Sequence, residues 1–172
     1  NINLNNSSLY WLPKELILFD KSKLRRKINI NLSGNSNLIF CETSIFGRKA
    51  MSEQIKNILF SDQWKINVNS SLKHFEAINM HGSMTDNYKN NYTFANKSAL
   101  STILIFGEII HQVESELRKI IENIENHYCE MTIFDDKIII RSLSNDNYDL
   151  KKTLNFIMKN IIHDKLPKSW DL

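Results

Sequence analysis

Apolar and polar residues alternate with period two over much of the first two-thirds of the chain. Ile28, Ile30 and Leu32 alternate with Lys27, Asn29 and Asn31, and Trp64, Ile66 and Val68 alternate with Lys65 and Asn67. This is the pattern of half-buried strands, whose successive side chains point to opposite faces. Leu9 to Leu12, Leu16 to Phe19 and Leu72 to Ile78 read as further short strands. Leu38 to Ile45 is apolar almost throughout and reads as a strand buried on both faces. Ser33 to Asn37 and Asn69 to Ser71 are turns by composition. Pro13 marks an edge or a break, because proline cannot donate to a strand ladder. The Asn-, Ser- and Thr-rich segment 80–96 reads as a surface loop.

The period changes near residue 98. Leu100 to Phe106 reads as a strand. Val113, Leu117, Ile120, Ile121 and Ile124 then recur at helical spacing within Ile110 to Asn126. Leu150, Leu154, Ile157, Met158 and Ile161 do the same within Asp149 to Asp164, with Asp146 or Asn147 as N-cap. Met131 to Phe134 and Lys137 to Arg141 form a hairpin about Asp135 and Asp136. The expected fold is α+β, mostly β: stacked antiparallel β-sheets with two amphipathic helices near the C-terminus. One domain covers 1–172, with 1–97 β-rich and 98–172 running β-α-β-β-α.

Composition narrows the chemistry. A chain of 172 residues buries enough apolar surface to hold a core without disulfides or metals. Cys41 and Cys129 are far apart and read as reduced, buried thiols of a cytosolic protein. The net charge of +3 permits an acidic partner without demanding nucleic acid. Five of the seven residues from Lys21 to Lys27 are basic and read as a solvated strand face. No apolar run reaches the ~18 residues that a spanning helix needs. The sequence contains no P-loop, dinucleotide fingerprint, HExxH or Gly-x-Ser-x-Gly motif. Met80-His81-Gly82-Ser83-Met84 has the side chains of a soft-metal site but reads as a plain surface turn. His74, His111, His127 and His163 have no partner at ligand spacing.

The candidate site lies around Cys41 to Glu53. Glu42 interrupts an apolar strand, and a buried carboxylate needs a cation or hydrogen-bond donors. Arg48 is the obvious partner, set beside Gly47 at the strand's end and followed by Glu53. One reading is a satisfied ion pair that fixes the sheet. The other is a polar conduit or docking edge for a cation, built from Glu15, Glu42, Arg48 and Glu53.

Three stretches carry a family resemblance. Trp11-Leu12-Pro13, with Glu15, Ile17 and Phe19, resembles a segment of the urease accessory protein family UreD, called UreH in some bacteria. Glu42 followed by Gly47-Arg48, Ala50 and Glu53 resembles a second segment, and Leu166-Pro167-Lys168-Ser169-Trp170 the family's C-terminal ending. Trp11, Pro13, Gly47, Pro167 and Trp170 are the structural residues of these motifs. The resemblance implies a non-enzymatic chaperone for nickel insertion, without catalytic residues or a permanently bound cofactor. Its partners would be urease apoprotein, a helical accessory protein (UreF) and a GTPase (UreG), in the cytoplasm, with neither nucleic acid nor membrane. Ni²⁺ would pass transiently along an internal polar channel. Carboxylates suit such a route because they hold the ion less tightly than thiolates or clustered imidazoles. The family's chains carry a further N-terminal β-rich portion, so this chain is expected to be an N-terminally truncated fragment.

Two other readings stand beside it. A basic β-rich module would bind nucleic acid or another acidic partner through Lys21 to Lys27 with Tyr10 and Trp11. An enzyme would use Glu42 and Glu53 as a carboxylate pair, but no acid/base partner accompanies them.

Overall fold

The period-two segments of the sequence become two stacked sheets in the computed structural model, which describes residues 1–48, 51, 53, 55–83, 97–124, 128–134, 136–162 and 166–170. The strands are β1 (Ile2–Asn5), β2 (Ser8–Trp11), β3 (Leu16–Leu18), β4 (Lys23–Ser33), β5 (Asn37–Phe46), β6 (Ile58–Val68), β7 (Ser71–Gly82) and β8 (Ala99–Phe106). Helix α1 (Ile109–Glu122), strands β9 (Tyr128–Phe134) and β10 (Lys137–Ser144) and helix α2 (Asn147–Ile161) follow, and a 3₁₀ turn covers Lys168–Trp170. The protein is α+β and mostly β, with two helices near the C-terminus.

The first sheet has the order β1-β4-β6-β7 and the second β2-β5-β8-β10-β9, with β3 also paired to β5. Both are mixed rather than wholly antiparallel. The β1–β4, β4–β6, β2–β5 and β3–β5 pairs are parallel. The β6–β7, β5–β8, β8–β10 and β9–β10 pairs are antiparallel. From β4 to β6 the chain changes sheet at each turn, so the next strand of the same sheet arrives in the same direction. Where it folds straight back, as from β6 to β7, the pair is antiparallel. Alternation in sequence marks strands but carries no direction.

The second sheet is the middle layer. Ile39, Cys41, Ile103, Ile105, Ile138 and Ile140 face the helices and pack with Val113, Leu117, Leu154 and Ile157. The opposite face of the same strands, including Leu38, Phe40, Leu104 and Phe106, packs on Ile28, Ile30, Trp64 and Ile66 of the first sheet. This double covering is why β5 reads as a continuous apolar run. Asp146 caps α2, its Oδ1 accepting from the backbone N–H groups of Tyr148 and Asp149. Met80 to Gly82, read as the start of a loop, are instead the end of β7. Residues 84–96 of that loop, Asp135 of the hairpin, and the helix extensions at 125–126 and 163–164 lie outside the described residues. No helix among those described is long and apolar enough to cross a membrane.

Candidate functional site

Between the two sheets the apolar packing is interrupted at one level. Arg26 stands between Leu24 and Ile28 on β4, Asp62 between Phe60 and Trp64 on β6, and Glu42 follows Phe40 on β5. Strand register sets Arg26 beside Asp62 in one sheet, and Glu42 beside Thr102 in the other. Apolar clusters lie on either side, one containing Phe40, Trp64 and Ile28, the other Phe46, Phe60 and Leu18.

Arg26 bridges the sheets. Its Nε and Nη2 donate to Asp62 Oδ1 and Oδ2 at 2.9 and 2.6 Å. Its Nη1 and Nη2 donate to Glu42 Oε1 and Oε2 at 3.2 and 2.8 Å. The planar fork of a guanidinium is what permits bidentate contact with two carboxylates at once. Trp11 completes the shell: its Nε1–H donates to Glu42 Oε1 at 2.7 Å. The indole stacks on Phe40, with centroids 6.2 Å apart and planes 9° from parallel. Glu42 and Asp62 are 3% and 1% exposed, so both depend on these donors. Burial works to lower the pKa of Arg26, but the Asp62 and Glu42 carboxylates outweigh it and hold the group above its ordinary value.

A second cross-sheet pair lies next to it, Glu76 standing beside Trp64 in register. Arg141 on β10, beside Thr102 in register, donates to Glu76 on β7 at 3.2 and 2.7 Å. His74 Nε2 lies 3.4 Å from the same carboxylate. Burial tends to raise the pKa of Glu76, and His74 and Arg141 together lower it below the ordinary value.

The partner expected for Glu42 is therefore wrong. Arg48 is half exposed at the end of β5 and pairs with Glu53 instead, through Nη2 at 2.8 Å and Nε at 3.0 Å. The Arg48 guanidinium holds the Glu53 carboxyl down to about 2, against a smaller opposing effect of burial. Geometry explains the difference. Arg48 follows Gly47, whose φ of +82° turns the chain out of β5, whereas Arg26 occupies an inward position facing β5. Glu15 lies in the break between β2 and β3, its Oε1 3.7 Å from Lys151 Nζ. The four expected residues thus occupy three places, and only Glu42 belongs to the inter-sheet band. Arg26 and Asp62 were missed by the sequence reading. Their signal was present: each sits at an apolar position of a period-two strand.

The three motifs nevertheless converge, along one edge of β5. β2 pairs with Asn37 to Phe40 and β3 with Ser44 to Phe46, so the break at Pro13 falls opposite Cys41 to Thr43. Trp11 reaches Glu42 beside that break. Trp170 fills it from the C-terminal end: the ring is buried and Nε1–H donates to Leu12 O at 3.0 Å. Asn155 on α2 holds the Trp170 carbonyl at 2.6 Å. Gly47 N–H donates to Leu18 O at 2.7 Å, and a Cβ on Gly47 would stand 3.1 Å from Glu53 O in addition to its strained φ. The cavity left among Pro13, Glu15, Thr43, Lys151 and Trp170 is about 10 Å³, room for about one water and no substrate.

Among the described residues no three His, Cys, Asp or Glu side chains gather to hold a metal ion. His81 is exposed at the end of β7, while Met84, His127 and His163 lie outside the described residues. Cys41 and Cys129 are free and buried, and burial pushes the Cys41 thiol up to about 12.

Comparison with known proteins agrees on one family. The family described as UreD urease accessory protein matches residues 4–169. The urease accessory protein UreD of Rhizobium rhizogenes is 28% identical over 163 residues, covering 94% of this chain and 59% of the relative. That of Agrobacterium fabrum is 28% identical over 167 residues, covering 96% and 57%, and that of Roseobacter denitrificans 26% over 167 residues, covering 96% and 60%. The chain spans about three-fifths of the length of these curated relatives.

Proposed function

The chain belongs to the UreD family of urease accessory proteins, and from that premise we propose that it serves urease maturation as a non-catalytic cytoplasmic scaffold on the path of nickel into the apoenzyme. The observation that supports this most is the inter-sheet band. Glu42 and Asp62, two buried carboxyl groups inside an apolar sandwich, share the single guanidinium of Arg26. Glu76, Arg141 and His74 extend the polar level toward the β7 side. Nickel enters this scheme as cargo, not as a resident cofactor. Oxygen ligands of this kind hold a borderline cation loosely enough to release it. A cation moving through the band would displace Arg26 from one carboxylate, which makes Arg26 the gate. Urease apoprotein, a UreF-like helical protein and a UreG-like GTPase are the partners. Glu15 and the Arg48–Glu53 pair, all at the β5 edge, fit a docking role better than a conduit.

Glu42→Gln tests the scheme, because it keeps the shape and removes the charge. In a reconstituted maturation assay, nickel content and urease activity should fall while pull-down of the accessory complex persists. Full activation by the variant would remove Glu42 from the route. Joint loss of complex and activation would assign it to the fold.

A further inference from the structure

The outward face of the β1-β4-β6-β7 sheet takes no part in the ion-pair band. β4 turns Lys23, Arg25 and Lys27 outward, all exposed, and β6 adds Lys65. No carboxylate stands on this face among the described residues. Asp62 and Glu76, the acids of β6 and β7, both point inward into ion pairs. These four cations exceed the net charge of +3 carried by the whole chain, so the basic excess is concentrated here.

Several polar groups of the face bond to one another. Asn31 Nδ2 donates to Asn3 Oδ1 at 2.7 Å and Asn67 Nδ2 to Asn31 Oδ1 at 2.9 Å, a ladder across β1, β4 and β6. Ser61 donates to Asn79 at 2.8 Å. The asparagine ladder continues the face beyond Lys27 and Lys65. At the end of the β4 row, Lys21, Lys23 and His81 line a concavity of about 480 Å³.

We propose that this face docks an acidic segment of a partner protein. Successive outward residues of one strand are about 6.6 Å apart. That spacing matches carboxylates on alternate residues of an extended segment, or four residues apart on a helix, where the rise is about 6 Å. Single-stranded nucleic acid fits less well, because its bases need free aromatic faces to stack on. Phe75, the aromatic of this face among the described residues, already holds Lys65 Nζ 5.8 Å from its ring centre. Tyr10 and Trp11 belong to the other sheet, where Trp11 is committed to Phe40 and Glu42. The docking face involves no metal and stands independently of the nickel route.

The test uses the full chain with two labelled probes, a peptide alternating glutamate and serine and a single-stranded oligonucleotide of matched charge. Binding is read by fluorescence anisotropy at about 50 and 200 mM salt. The peptide should bind, weaken with salt, and lose at least about tenfold in affinity with Arg25→Glu/Lys65→Glu. Lys152→Glu/Lys159→Glu, the same charge change on exposed positions of α2, should alter it by less than about twofold. Absence of peptide binding, an unchanged affinity in the face variant, an equal loss in the α2 variant, or tighter binding of the oligonucleotide would each overturn the proposal.

Discussion

Replacing Arg26 with methionine removes the guanidinium and keeps most of the apolar stem. Glu42 and Asp62, 3% and 1% exposed, then lose their shared cation. Of the side-chain donors described for it, Glu42 keeps the indole N–H of Trp11 at 2.7 Å. Breaking a buried ion pair from one side costs about 3–5 kcal/mol. The Arg26 side chain is 26% exposed, so water reaches part of the guanidinium and the expectation falls to the lower end, about 3 kcal/mol. That is about a fifth to three-fifths of the stability of a typical domain, about 5–15 kcal/mol. With a urea slope of about 2 kcal/mol/M, the unfolding midpoint should fall by roughly 1.5 M. Trp11 and Trp64 flank the band, so intrinsic fluorescence reports on it directly. A midpoint shift below about 0.3 M would refute the reasoning, since the band would then be solvated rather than buried.

Two further outcomes follow from the edge of β5. Trp170→Ala should cost about 3–5 kcal/mol in a urea titration, through lost packing and the lost bond to Leu12 O; an unchanged midpoint would mean that the C-terminal ending does not hold the sheet. The Glu53 carboxyl is lowered from 4.5 to about 2 in the folded chain, so the unfolded chain binds its proton first as pH falls; the stabilisation is full above about pH 4.5 and lost on the way to pH 2. Glu53→Gln should flatten that part of the stability–pH curve, and an unaltered acid limb would contradict the pairing with Arg48.

Much of the fold was legible because burial writes a period into sequence. β4 and β6 alternate cleanly, β5 is apolar on both faces, and the stripes of α1 and α2 are the residues that meet the second sheet. Strand direction was not legible, since a strand reads alike whether its neighbour is parallel or antiparallel. The site was half legible. Glu42 stood out as a charge in an apolar run, but its cation was sought nearby in sequence, at Arg48. The true partner lies on the facing strand of another sheet, a contact that no local spacing reveals. Arg26 was further masked by its neighbours. Within Lys21 to Lys27 it looked like one more solvated cation, although its place between Leu24 and Ile28 puts it on the inward set.

The position of the ion-pair band suggests why such a costly arrangement persists. Buried ion clusters of this kind are commonly no more stable than apolar replacements of similar volume. Their use lies in what they exclude. A slip of β4 by two residues against β6 keeps every side chain on its proper face, so the apolar pattern alone opposes it weakly. The same slip moves Arg26 from Asp62 to a position beside Phe60 or Trp64 and strands three charges. The band therefore fixes register in a parallel pair that no tight turn pins. The variant Arg26→Met/Glu42→Leu/Asp62→Leu separates stability from register. It should recover the stability lost by Arg26→Met and lie between the parent and about 4 kcal/mol above it. Its amide spectrum should nevertheless broaden or double along β4 and β6, and amide exchange there should quicken relative to β5 and β8. A triple variant with single, sharp β4 and β6 resonances would show that side-chain shape alone sets the register, and that the three charges are kept for another purpose.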